Sequence, residues 1–300
     1  RLPTSFVKIA IANGTHAPCT VDAETLGLQP LNKIPIINHD AFDDSSHVFF
    51  GNTERGTAVW LNRCVQEADV VIALGRIKPH YFAGFSAGAK AVFPGLGRNH
   101  EIRANHQLKT QDGARAGVIE GNPCREDIEE AVSKIARPVF LLNVIMDEWG
   151  HSHGAIAGDF RRAFREGAKM CRSLYEISVP RSRAILVCDV PPITSSLYQA
   201  SKLIAAAAPL LKEDGAIILV ADCDQGIGPL ETVNRGIYEI GLKPRLPSRH
   251  CLYLHSSVEN ALVDQSYCRP LENVQEFIST CEQLTVLRRA GSMIVNATKV

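Results

Sequence analysis

The chain has 300 residues, 45% of them apolar and 21% charged, which is ordinary for globular protein and suits two domains. Its 32 Lys and Arg balance 32 Asp and Glu, so the formal net charge is zero and nothing in it supports a nucleic-acid partner or a polybasic membrane-surface role. No apolar run approaches the roughly 20 residues that span a bilayer, and the first residues lack the charged and apolar regions of a signal peptide.

Nine cysteines are scattered without a C-x-x-C pair, the pattern of reduced thiols in the cytoplasm and not of a disulfide frame or zinc site. The chain begins at Arg1 and runs almost at once into a strand-like segment, so an upstream segment is expected.

The first predicted strand, 6–12, leads directly into "NGTH". Asn13-Gly14 is a turn signal, and His16 falls just past the strand end, where ligands of open α/β sheets bind. A surface loop that happens to hold a histidine is the plainer reading. A helix is predicted at 22–28, strands at 33–38 and 47–51, a helix at 61–68 and a strand at 69–75.

After that strand comes "GRIKPHYFAGFSAGAKAVFPG", which sets His80 and Lys90 on either side of a small-residue loop. Gly84 and Gly88 permit close backbone approach, and free N–H groups there could cradle a phosphate. The loop fits neither G-x-x-x-x-G-K-[ST] nor G-x-G-x-x-G, and a turn that packs a helix on a sheet explains it equally well. His106 follows in "EIRANHQ". It could be a ligand, an acid or base, or a satisfied core residue.

In "GNPCREDIEEAV", Asn122 suits an N-cap and Pro123 the first helical position, so a helix is predicted over 125–136. A strand at 139–146 follows, then "HSH" (151–153), expected as solvated turn, and a helix at 160–175. The polar, proline-containing stretch 176–184 is taken as the domain boundary, giving domains 1–178 and 179–300.

The second half opens with a strand at 184–189 and a helix at 196–212, which starts in "SSLYQASK". Gln199 and Lys202 are three apart and share a helix face, an amide and an ammonium suited to a carboxylate. An ordinary exposed face is the commoner outcome. A strand at 216–223, the loop "DCDQGIG", a helix at 231–240, a strand at 251–256, a helix at 271–284 and a strand at 292–297 complete the chain. Near-continuous apolar strands mixed with helices indicate α/β architecture: two α/β domains, mostly parallel sheets and an interdomain cleft. His16, His80 and the Gln199/Lys202 pair each lie just past a strand, so they are expected on one edge.

"NGTH", the loop from Gly75 to Gly95, "ANH", "GNPCREDIEEA", "AGDFRRAFREG" and "LYQASK" together resemble the nickel-pincer lactate racemase family of 2-hydroxyacid racemases and epimerases. The resemblance runs from about Val7 to about Gly228 and is weak beyond. The family usually has glycine where Ala87 stands.

The resemblance implies racemisation or epimerisation of a 2-hydroxy acid, lactate or a relative. It implies nickel and a pyridinium-3,5-bisthiocarboxylic acid mononucleotide (the nickel-pincer nucleotide) attached covalently to Lys90, with Gly84, Ser86 and Gly88 about it. His106 would be the nickel ligand, His16 and His80 the alternating acid and base, and Gln199 and Lys202 the substrate contacts. The enzymes that build the cofactor would be partners; nucleic acid and membrane would not.

The family's upstream Asp and Arg contacts precede Arg1, and "RLPTS" lies too close to "NGTH" to supply them. Its aromatic substrate contact in the C-terminal domain has no clear counterpart. A dehydrogenase- or lyase-like enzyme acting on a hydroxy acid, or a non-catalytic cofactor-binding homologue, is the alternative.

Overall fold

The protein is described here by a computed structural model that places residues 3–17 and 34–298. The predicted helix 22–28 and Cys19 lie outside the described residues. The chain divides into two compact units, each built from several segments: Arg1–Ile77, Ser86–Leu108 and Pro123–Lys169 in the first, and Lys78–Phe85, Lys109–Asn122 and Met170–Val300 in the second. Among the described residues no helix is long and apolar enough to cross a membrane.

In the first unit β1 (Ile9–Ile11) pairs in parallel with β2 (Ile36–Asn38). β3 (His47–Asn52) and β4 (Ala58–Asn62) form an antiparallel ribbon. The helix expected over 61–68 is shorter: α1 spans Arg63–Glu67, because Val59 and Leu61 alternate inward and belong to β4, and the Asn62 side chain caps the helix by accepting the Cys64 N–H at 3.1 Å. β5 (Val71–Ile77) follows. The chain then gives the second unit β6 (Pro79–His80) and β7 (Gly84–Phe85), an antiparallel pair.

The first unit resumes with α2 (Asn99–Gln107), α3 (Pro123–Ser133) and the strands β8 (Val139–Met146) and β9 (Ser152–Asp159). The sheet order is β5-β8-β9, with β5 parallel and β9 antiparallel to β8. "HSH" is therefore not all turn: Ser152 and His153 begin β9. α4 (Arg162–Tyr175) matches its expected span closely.

The stretch 176–184 holds structure that its polarity concealed. β10 (Glu176–Val179) ends at Pro180, and β11 (Ser182–Cys188) starts just after. The helix expected over 196–212 is broken into α5 (Leu197–Ala200), a 3-10 turn Ser201–Leu203, α6 (Ile204–Ala207) and a 3-10 turn Ala208–Leu210. Pro209, which has no N–H to donate, stands in the last turn, and β12 (Leu211–Val220) begins at once.

A π-type helix (Thr232–Leu242) leads to β13 (His250–His255), α7 (Asn260–Val263), β14 (Arg269–Pro270) and α8 (Val274–Ser279). α8 is much shorter than the expected 271–284 because Leu284 opens β15 (Leu284–Arg288), a strand not foreseen. β16 (Ile294–Ala297) pairs in parallel with β10.

The second unit's main sheet runs β14-β13-β12-β11-β15, all parallel, which agrees with the α/β reading. Its core joins Ile185, Val187, Ile217 and Leu219 from the sheet to Leu197, Leu203 and Ile204 from the broken helix, all buried. That packing holds the turn carrying Gln199 and Lys202.

Candidate active site

In the first unit β1 runs into the loop of His16. The Asn13 amide donates to Asn38 Oδ1 at 2.6 Å and to the His39 carbonyl at 2.8 Å, and the Gly14 N–H donates to the Gly95 carbonyl at 2.9 Å. The His16 N–H closes a turn on the Asn13 carbonyl at 3.1 Å, so the loop is fixed at its root while the His16 side chain is exposed.

Gly95 serves a second turn. Its own N–H donates to the Lys90 carbonyl at 3.1 Å, closing the 3-10 turn Gly88–Ala91 on which the half-buried Lys90 stands. A Cβ on Gly95 would strike the Ala91 carbonyl and come within 2.8 Å of the Ala12 Cβ. The approach of the His16 loop to the Lys90 turn thus requires glycine.

The residues before Lys90 are fixed by protein contacts. The Gly88 N–H donates to Asn143 Oδ1 at 3.0 Å, and the buried Asn143 amide donates in turn to the Ala73 carbonyl at 3.3 Å. A Cβ on Gly88 (φ +60°) would lie 2.5 Å from the Phe164 ring. Ser86 Oγ donates to the Arg76 carbonyl at 2.9 Å. Ala87 has φ 61° and ψ −160°, a backbone region that essentially only glycine occupies.

His106 sits half-buried in the last turn of α2. That helix is anchored by its neighbour Asn105, whose amide donates to Asp127 Oδ2 at 2.8 Å and to the Cys124 carbonyl at 3.2 Å. Asp127 also accepts the hydroxyls of Thr53 at 2.6 Å and Thr57 at 2.9 Å, so α2, α3 and the ribbon are tied at one carboxylate.

In the second unit the β6–β7 pair carries His80 and Gly84. A Cβ on Gly84 (φ +74°) would overlap the Val118 carbonyl, and the Gly84 carbonyl accepts the Gly117 N–H at 2.9 Å. Gly84 and Gly88 therefore each have a packing reason to be glycine. His80 Nδ1 accepts the Ala83 N–H at 3.2 Å, and its ring meets the Phe82 ring edge-on at 4.6 Å. This hydrogen bond assigns the proton of the neutral ring to Nε2.

Gln199 and Lys202 meet directly: Lys202 Nζ donates to Gln199 Oε1 at 2.6 Å and lies 4.7 Å from the centre of the Tyr198 ring. Ser196 caps α5, and "DCDQGIG" braces its start, with the Leu197 N–H donating to the Gly226 carbonyl at 3.1 Å and the Gln225 N–H to the Ser195 carbonyl at 2.8 Å. Burial, with repulsion from Lys109 and Lys78, pulls the Lys202 ammonium down to about 8. Lys202 has no carboxylate partner among the described residues.

Of the predicted residues, His16, Ser86, Gly88, Lys90 and His106 belong to the first unit and His80, Gly84, Gln199 and Lys202 to the second. Within the first, backbone hydrogen bonds link the His16 loop and the Lys90 turn; within the second, Gln199 and Lys202 touch. Sequence reasoning missed Asn143 and Tyr198. Asn143 is the lone polar residue in "VFLLNVIM", which was the available signal, and Tyr198 stands between the two halves of the motif it belongs to.

Among the described residues no three His, Cys, Asp or Glu side chains gather to hold a metal. A single half-buried histidine and a half-buried lysine in one unit make a donor set that fits a metal arriving with its own ligands and a carrier able to bond an amine.

The family profile described as the lactate racemase N-terminal domain matches residues 2–117. Lactate racemase of Lactiplantibacillus plantarum is 34% identical over 237 residues, covering 75% of this chain and 54% of that protein. Lactate racemase of Thermoanaerobacterium thermosaccharolyticum is 30% identical over 227 residues, covering 74% of this chain and 53% of that protein. The chain thus spans about half the length of the curated relatives it matches.

The solved lactate racemase apoprotein from T. thermosaccharolyticum superposes with a TM-score of 0.85 at 25% identity, covering 97% of this chain and 78% of that one. A crystal structure of a Thermotoga maritima protein shares the fold alone, with a TM-score of 0.75, 16% identity and coverage of 96% and 85%. The family profile over residues 2–117, curated relatives over three quarters of the chain and a solved structure matching nearly all of it agree: the chain is similar to lactate racemases over most of its length.

Proposed function

We propose that this protein is an isomerase that interconverts the configurations of a 2-hydroxy acid, using nickel and the nickel-pincer nucleotide of the lactate racemase family. The observation that carries the reading is the Lys202–Gln199 contact of 2.6 Å: a lysine pushed down by burial has an amide oxygen for a partner and no carboxylate, which leaves its charge for an anionic ligand. The likeness to lactate racemases supplies the reaction class.

Lys90, on its glycine-bounded turn, would hold the nucleotide, and His106 would give nickel its protein ligand through an imidazole nitrogen. When bound, the group supplies a centre that accepts a hydride and returns it. Lys202 and Gln199 would bind the substrate carboxylate and so hold the substrate. His16 and His80 would each hold or take the hydroxyl proton for one configuration, since a base on one side serves only one enantiomer. His80 Nδ1 accepts the Ala83 N–H, so uptake of a proton by that ring is coupled to release of the amide.

The test is to co-express the chain with the cofactor-building enzymes and measure intact mass and enantiomer exchange from each pure antipode. A mass increase lost in Lys90→Ala, with exchange lost in His16→Ala, is the expected result. An unchanged mass under saturating cofactor supply overturns the reading. Accumulating keto acid without exchange favours a dehydrogenase- or lyase-like enzyme, and cofactor uptake with no turnover favours a non-catalytic homologue.

A further inference from the structure

His39 joins three segments of the first unit at one buried residue. It follows β2 directly and lies beside the end of β1, because Ile11 and Asn38 stand opposite each other in that parallel pair. Its N–H donates to the Ile11 carbonyl at 3.3 Å. Its carbonyl accepts the Asn13 amide at 2.8 Å, at the root of the loop that carries His16.

Its side chain reaches the other way. The imidazole Nε2 lies 3.0 Å from the Gly97 carbonyl, in the segment that follows the Lys90 turn. A carbonyl only accepts, so this contact places the ring proton on Nε2 and leaves Nδ1 to accept from the Asn62 amide at 3.5 Å. Burial, with the His47 ring edge-on at 5.3 Å, lowers the imidazole below its ordinary 6.5, so the ring is neutral at pH 7. Gly97 is itself held. Its N–H donates to the Pro94 carbonyl at 3.0 Å, it bridges Leu61 of β4, and a Cβ on it would lie 2.9 Å from the Phe93 ring.

A buried histidine on one carbonyl is ordinarily a satisfied core residue. His39 differs because its main chain holds the His16 loop while its ring holds the segment behind Lys90. The two are thus joined twice, directly by the Gly14 N–H on the Gly95 carbonyl and again through His39. Resting on the roles given above to His16 and Lys90, we propose that His39 is a positioning residue that sets the His16 base relative to the cofactor anchor Lys90. It acts through these two segments, and displacement of a reacting group by about 1 Å costs on the order of a hundredfold in rate.

Hydrogen exchange of the full chain without cofactor, and turnover of chain loaded by co-expression with the cofactor-building enzymes, test this together. In His39→Leu the Gly14 and His16 amides should exchange about tenfold faster while those of β8 are unchanged. The kcat per loaded chain should fall at least about tenfold with KM within about threefold. His39→Gln, whose amide N–H reaches the Nε2 position, should restore both to within about threefold; His39→Asn, whose amide ends at the Nδ1 position, should not. If the leucine variant does not fold, the Gln and Asn variants decide. Unchanged Gly14 and His16 exchange in a folded Leu or Asn variant, a Gln variant no better than Leu, or a loaded Leu variant with full kcat overturns the proposal. A wild type that neither loads nor turns over fails the racemase reading instead, and exchange still decides whether His39 couples the two segments.

Discussion

Lys202 Nζ and Gln199 Oε1 stand 2.6 Å apart on one face of a helical turn, and the amide oxygen takes the place that a carboxylate fills for most buried lysines. Burial first, then Lys109 and Lys78, bring this ammonium from its ordinary 10.5 down to about 8. A lowered folded value means that the charged form is the disfavoured one. Below pH 8 the fold therefore carries a cost on the order of 3 kcal/mol, which is relieved as pH rises from about 8 towards 10.5.

Binding has the opposite sense. Carboxylate affinity should be full below pH 8 and fall about tenfold per pH unit above it, as the ammonium is lost. Lys202→Met should abolish that slope and, at pH 7, raise the urea midpoint. A slope that persists in the variant would assign the titration to another group.

Ala87 occupies a glycine's conformation. With φ 61° and ψ −160° it stands where an L side chain costs on the order of 1–3 kcal/mol. Its Cβ faces Gly75, where an added Cβ would come within 3.0 Å of it. Ala87→Gly should relieve the strain and give back part of the gain through a looser unfolded chain, for a net stabilisation of about 1 kcal/mol. Denaturant unfolding of the two proteins measures it, and a destabilised variant would mean that the Cβ packing outweighs the strain.

The sequence displayed these features unevenly. Strands such as "VFLLNVIM" were legible because apolar residues occupy both faces, exposed Phe140 and Leu142 included, α3 because Pro123 and the acidic residues marked its start, and α4 because of its periodicity. Helix ends in the second half were not. The rise from Ser196 to Leu210 reads as one helix by composition, yet it is held as four short turns by packing against the sheet, and Pro209 ends it. β10 and β15 were hidden because pairing with β16 and β11, distant in sequence, makes them strands.

At the site, residue types and motif were visible, and the supports were not. A sequence cannot say that Gly88 is glycine because Phe164 lies against it, or that Gly84 abuts the Val118 carbonyl. Both looked like an anion cradle, and both prove to have tertiary packing behind them.

Asn143 is the support most open to test. Its side chain accepts the Gly88 N–H and donates to the Ala73 carbonyl, so it ties the Lys90 turn to β5 and β8. Asn143→Leu keeps the volume but leaves that buried N–H without its acceptor, a loss of about 2 kcal/mol. It should also cut cofactor attachment at Lys90 while leaving the protein folded. Mass spectrometry of the co-expressed variant reads the attachment, and unchanged loading would show that the turn holds its shape without Asn143.

Asp147 closes the β8–β9 connection with a set of hydrogen bonds. Its carboxylate accepts the Trp149 N–H at 3.0 Å, the His151 N–H at 2.9 Å, and the His151 and His153 rings at 3.1 Å each. Burial opposes ionisation of this group, and these bonds, led by His153, outweigh it and hold the carboxyl at about 2. A value lowered from the ordinary 3.8 gives stability that is present above 3.8 and lost as pH falls through about 2. The connection should therefore stay closed at pH 5 and open in strong acid. Asp147→Asn should open it at pH 7, since an amide has one oxygen for donors that now share two. Hydrogen exchange across residues 147–153 measures this: the Trp149 and His151 amides should exchange about tenfold faster in the variant, and equal rates would show that the strand pairing alone holds the turn.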